Sequence, residues 1–153
     1  MIVEGDLTFR ESARKLADVI EAMALKLEGT AGLLKKERLL LAGKDYASLQ
    51  SLLKELERSV SDFLGLEAER DRLARQLACV LGCDPKMSEI ASNLEEETSK
   101  PLVDAADRLQ RSMKGLKSEF EITSRLLDES KKLGDLVLSQ LRGLTGSGFS
   151  VRG

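Results

Sequence analysis

From Leu102 to Leu144 apolar or small residues recur at steps of four and three without a break: Leu102, Ala106, Leu109, Met113, Leu116, Phe120, Thr123, Leu127, Ser130, Gly134, Val137, Leu141 and Leu144. A period of 3.5 puts every one of them on a single stripe of a helix, whereas a half-buried strand would need alternation at every second residue. The stretch therefore predicts one long helix over about 101–143, roughly 60 Å at 1.5 Å per residue. Composition agrees with rod-like packing. Aromatics make up 3% of the chain and Trp is absent, while 33% of residues are charged. The bulky filling of a globular core is missing, and the residues that favour long helices dominate.

Upstream, the same period defines two more helices. Thr8-Phe9-Arg10-Glu11 has the form of a capping box, which predicts a helix from about residue 9. Leu16, Ile20, Met23, Leu27, Leu34 and Leu41 form its stripe, with Ala13, Ala17, Ala24 and Ala31 beside them. Gly43 supplies a permissive turn at about residue 42 and Asp45 an N-cap, so a helix over 46–81 is expected to run back along the first. Its stripe reads Leu49, Leu53, Leu56, Val60 and Phe63, then Leu66, Leu73, Leu77 and Leu81 after a phase slip near Gly65. Gly82-Cys83-Asp84-Pro85 is expected to stop that helix and start a short polar one over about 86–97, with Asp84 as cap and Pro85 in the first turn. Pro101 disfavours helical geometry at Lys100, so a break is expected there.

These segments describe an all-α fold: an elongated antiparallel hairpin plus a long C-terminal helix, a three-helix coiled-coil-like bundle with one short connecting helix. Residues 1–144 read as a single domain, and the glycine- and serine-rich residues 145–153 as a flexible tail.

The last helix changes character along its length. Over 102–120 the positions flanking the seam are polar or small, among them Ala105, Arg108, Ser112, Gly115 and Lys117. Over 122–141 the neighbouring row reads Ile122, Leu126, Leu133 and Leu136, while the seam narrows at Thr123, Ser130 and Gly134 before Val137 and Leu141. The apolar face thus widens and becomes notched. Each leucine buried there stabilises by about 1.5–3 kcal/mol, so such a face calls for a cover. Two covers are open: the groove between the first two helices, or an amphipathic helix from a partner whose knobs enter at Ser130 and Gly134. In the second case the partner-binding residues are Ile122, Leu126, Ser130, Leu133, Gly134, Leu136, Val137 and Leu141.

Catalysis has little to stand on. The chain has no His, and its two cysteines, Cys79 and Cys83, lie one helical turn apart with no histidine to activate them. They read as free core thiols. Glu95, Glu96 and Glu97 read as a solvated helix end, and Gly143, Gly146 and Gly148 lack the following helix that a phosphate loop needs. No catalytic, cofactor-binding or metal-ligating residue is expected, and the chain reads as a non-enzyme. The formal charge of −2 comes from 24 basic and 26 acidic residues scattered along the chain, which argues against nucleic acid and membrane surfaces as partners. No apolar run is long enough to span a bilayer and the N-terminus has no signal-like core, so a cytoplasmic location is expected.

The run LLKKERLLLAGKDYASLQSLL, residues 33–53, resembles the signature region of the FlgN family of flagellar export chaperones. The matching positions are Leu33, Leu34, Glu37, Leu41, Asp45, Leu49 and Leu52, and RLLDES, with Leu126, Leu127 and Ser130, is similar to the family's last helix. The chain departs from the pattern at Leu56, where a lysine is expected, and at Thr123 or Ser124, where an asparagine is expected. The resemblance implies a cytoplasmic type III secretion chaperone of the bacterial flagellum. Such a protein would bind the C-terminal helices of hook-filament junction proteins, prevent their premature assembly, and deliver them to the flagellar export gate without hydrolysing ATP. Read without it, the same heptads also suit a homo-oligomeric coiled-coil scaffold, or a helical adaptor that serves no secreted substrate.

Overall fold

The computed structural model describes residues 4–124 and Ser139, with side chains from Phe9 to Thr123 and at Ser139. Four helices and no strand make up the described residues: α1 (Glu4–Ala42), α2 (Tyr46–Leu81), α3 (Met87–Ser92) and α4 (Glu96–Ser124). At 39 residues α1 is about 58 Å long and forms the spine, because both α2 and α4 pack along it. The expected all-helical bundle is therefore present.

Polar pairs between the helices give the directions. Lys26 meets Asp62 at 3.3 Å and Thr30 meets Ser59 at 2.6 Å, so α2 descends as α1 rises. Along the other side Arg10 pairs with Glu95, Arg108 with Glu21 and Glu28, and Arg38 with Glu119, so α4 runs parallel to α1. Short α3 packs against both α2 and α4 at the lower end. It buries Met87 and Ile90, and is thus less polar and shorter than the expected 86–97 segment.

The core is one continuous cluster along the stripe read from the sequence. Leu16, Ile20, Met23, Leu27 and Leu34 of α1, Leu56, Phe63 and Leu77 of α2, and Leu102, Leu109, Leu116 and Phe120 of α4 are all buried. Thr30 donates its hydroxyl to the Lys26 carbonyl, which leaves Ser59 to donate to Thr30. A satisfied polar pair of this kind inside an apolar seam disfavours a slipped register of the hairpin.

Several expectations are corrected. There is no phase slip at Gly65: buried positions in α2 continue from Phe63 to Arg70, Ala74 and Leu77, while Leu66 and Leu73 are half-buried. A charged residue standing on the stripe hid its continuity. Arg70 is accommodated because Glu67, one turn earlier, takes its guanidinium in two hydrogen bonds of 2.7 and 3.0 Å. The capping box at Thr8 does not start α1, which already includes Glu4, where acidic Glu4 and Asp6 favour the positive end of the helix.

At the hairpin tip Asp45 does cap α2, accepting the Ser48 amide at 3.2 Å. The left-handed residue, however, is Lys44 at φ 57°, not Gly43. The Lys44 amide donates to Leu41 and the Asp45 amide to Leu40, a closure that places the left-handed turn one residue beyond the glycine. Gly82 takes that role at the end of α2, at φ 71°, as expected. Lys86, not Asp84, precedes α3, and Pro85 lies outside it. Pro101 does not break or start the last helix, since α4 begins at Glu96 and passes through it. The proline falls in the second turn, where the lost amide bond costs less than in mid-helix, and Glu96 and Glu97 stabilise the start. Finally, Cys83 is half-buried but Cys79 is exposed, so only one of the two cysteines touches the core.

Candidate functional site

The upper end of the bundle, where the hairpin turns and the described part of α4 ends, gathers the residues of interest. Of the signature-like positions, Leu34, Glu37, Leu49 and Leu52 are buried, Leu33 and Leu41 are half-buried, and Asp45 is the exposed cap. Leu56 is fully buried among apolar neighbours of the cluster, so the position where a lysine was expected carries packing here. Thr123 is also fully buried and accepts a hydrogen bond from Arg38 at 3.0 Å.

Arg38 does more than hold Thr123. Its guanidinium bonds Glu119 at 2.6 Å, and Lys35 approaches the other oxygen of the same carboxylate at 3.9 Å. One turn of α1 thereby clamps the last described turns of α4. A second clamp lies midway, where Arg108 donates to Glu21 and Glu28 and Ser112 donates to Glu28. Hydrogen bonding to Arg108 holds the Glu28 carboxyl below its usual range, and Arg108 is correspondingly held more firmly protonated. Sequence reasoning missed both clamps. Arg108 reads in the sequence as a polar neighbour of the seam, and its pairing with Glu21 and Glu28 follows only from the parallel run of α4 along α1.

The clamps fix how far the hairpin reaches along α4. Glu28 and Ser112 are 84 residues apart in the chain, and the other cross-links between these helices fall close to the same offset. α1 stops at Ala42, about one turn beyond Arg38, whose partners Glu119 and Thr123 stand on the last described turns of α4. Toward that end the cover of the core thins: Leu40 and Leu41 are half-buried, and Leu39 and Tyr46 are exposed.

Of the partner-binding residues expected from the sequence, Ile122 is described and is 45% exposed, unusual for a large apolar side chain next to a packed seam. Leu126, Ser130, Leu133, Gly134, Leu136, Val137 and Leu141 lie outside the described residues, as do the rest of the expected 101–143 helix beyond Ser124, Ser139 excepted, and the 145–153 tail.

Among the described residues no group of three or more His, Cys, Asp and Glu is placed to hold a metal ion. Burial pushes the Cys83 thiol up, away from the thiolate form that a nucleophile needs. Glu95, Glu96 and Glu97 are exposed, Glu95 pairing with Arg10. The clefts are open grooves between helices, such as the one beside the α1–α4 clamp lined by Ala31, Lys35, Ser112 and Gly115. No described helix is long and apolar enough to cross a membrane. Comparison of the chain with models of protein families, with curated proteins and with solved structures gives no match.

Proposed function

We propose that this protein is a cytoplasmic helical chaperone of flagellar type III export, which holds the C-terminal helix of a hook-filament junction protein on the apolar face read over residues 122–141. One observation supports the reading: Ile122, the first residue of this face, is 45% exposed beside a packed seam, and the apolar row of the sequence continues from it to Leu141. A face so placed suits an amphipathic helix laid along it, with Ser130 and Gly134 receiving side chains of the incoming helix. The resemblance over residues 33–53 and 126–130 supplies the substrate class.

In this mechanism the chain carries out no bond chemistry. The clamps at Arg108 and Arg38 hold α4 to the spine, and the spine presents the segment that follows. A junction-protein tail that is disordered alone gives up conformational entropy as it folds on the face, which tempers affinity while keeping specificity and allows release at the export gate. Co-expression with the C-terminal segments of candidate junction proteins tests the reading. A soluble complex that forms with such a segment supports it, and failure to retain any of them, with the chain folded, contradicts it.

A further inference from the structure

The row of α4 that carries Ile122 changes from apolar to basic toward the start of the helix. Arg111, Gly115 and Ser118 precede Ile122 at steps of four, three and four, so they share its side of the helix, and all four residues are exposed. Lys114, also exposed, borders the same row. Leu109, Leu116 and Phe120 take the side turned to the core. Along the exposed side only the small residues Gly115 and Ser118 stand between Ile122 and Arg111, a path of about 16 Å.

The charge at the far end of this path has one sign. From Arg108 to Ser118 the sequence holds four cations, Arg108, Arg111, Lys114 and Lys117, and no acid. Arg108 is bound to Glu21 and Glu28, and Lys117 stands well off the row by helical spacing. Arg111 also lines the groove between α4 and α1, with Lys35 on the facing wall. The acids of that groove, Glu28 and Glu119, are already held by Arg108 and Arg38. Asp107, one turn before Arg111, offsets part of the charge and leaves Arg111, Lys114 and Lys35 as a net positive end.

We propose that the helix held on the face over residues 122–141 lies antiparallel to α4 and ends with its C-terminal carboxylate at Arg111 and Lys114. This rests on the chaperone reading and adds the direction of the bound helix and the group that anchors it. The last turn of any helix carries unsatisfied carbonyls and about half a negative charge, and a chain end adds a full negative charge, so both favour cations. The opposite direction would bring the positive end of the bound helix onto the same cations and set its carboxylate at the far end of the apolar row. Charge at one end of an otherwise apolar track thereby selects a direction, and it distinguishes a free chain end from an internal helix.

Fluorescence anisotropy tests this with a synthetic peptide of about the last 30 residues of a hook-filament junction protein, long enough to span Arg111 to Leu141. The peptide is labelled at its N-terminus and made once as the free acid and once as the C-terminal amide. The free acid should bind the full chain about threefold more tightly at low ionic strength, and the difference should shrink as salt is added. Arg111→Glu combined with Lys114→Glu should weaken the free acid roughly tenfold and remove its advantage, whereas Lys117→Glu should leave both affinities unchanged. Circular dichroism checks the folding of each variant, and the comparison of acid with amide needs no variant. Ser118→Cys, in a Cys79→Ser, Cys83→Ser background, should form a disulfide with a cysteine near the peptide's C-terminus and not with one near its N-terminus. Equal binding of acid and amide, an equal effect of Lys117→Glu, or cross-linking through the N-terminal cysteine, with Leu133→Asp still weakening the complex, would overturn this direction while leaving the chaperone reading in place. Failure of both peptides to bind the native chain would overturn the two together.

Discussion

Single residues show where polar chemistry has been fitted into an apolar frame. Arg70 occupies a core position with Glu67 pairing it from one turn away and Asp71 at 3.8 Å. Removing one acid alone, as in Glu67→Ala, takes two hydrogen bonds from a buried cation and should destabilise by about 2 kcal/mol in chemical denaturation, whereas Arg70→Leu together with Glu67→Gln should be nearly neutral. Comparable losses from both would contradict that assignment. The Ser59 hydroxyl satisfies Thr30 across the hairpin, and Ser59→Ala should cost about 1 kcal/mol. Lys44 holds a left-handed conformation that suits glycine, so Lys44→Gly should raise stability by about 1 kcal/mol, readable as a higher denaturation midpoint. None of the three was legible in the sequence. The spacing of leucines identifies an apolar stripe, but it says nothing of which charged residue may stand on it or which of two adjacent turn residues takes positive φ.

At the scale of helices the sequence was most informative, because the 4-3 period is a direct consequence of burying one face. Leu102, Ala106, Leu109, Leu116, Phe120 and Thr123 are all buried as the seam required, with Met113 half-buried. Boundaries were less legible where weak local preferences compete with acidic first turns, as at Thr8 and Pro101. The α1–α4 pairing was invisible, since it depends on knowing that the two helices run parallel. Its electrostatics give a pH prediction. Glu28 has a folded pKa below the ordinary 4.5, so its contribution is present above that value and is lost as pH falls through the lower folded one. The thermal midpoint of the native chain should therefore exceed that of Glu28→Gln at neutral pH, and the gap should close below pH 4.5. A gap that stays constant down to acid pH would exclude the charged clamp.

For the whole molecule, the decisive question is what covers the apolar row that begins at exposed Ile122 and continues in the sequence to Leu141. The candidate site is legible as a widening of that row, while the exposure of Ile122 depends on how α4 lies along α1. The most direct measurement compares charge placed on the two halves of the row. Leu109 is fully buried against the spine, so Leu109→Asp should lower the thermal midpoint sharply, as a core leucine exchanged for an unpaired charge costs several kcal/mol. Leu133→Asp should leave the midpoint within a few degrees of the native chain and weaken binding of a junction-protein C-terminal peptide roughly a hundredfold, as loss of a central anchor does. If Leu133→Asp instead unfolds the chain as Leu109→Asp does, residues 122–141 are part of the protein's own core and the proposed binding face is contradicted.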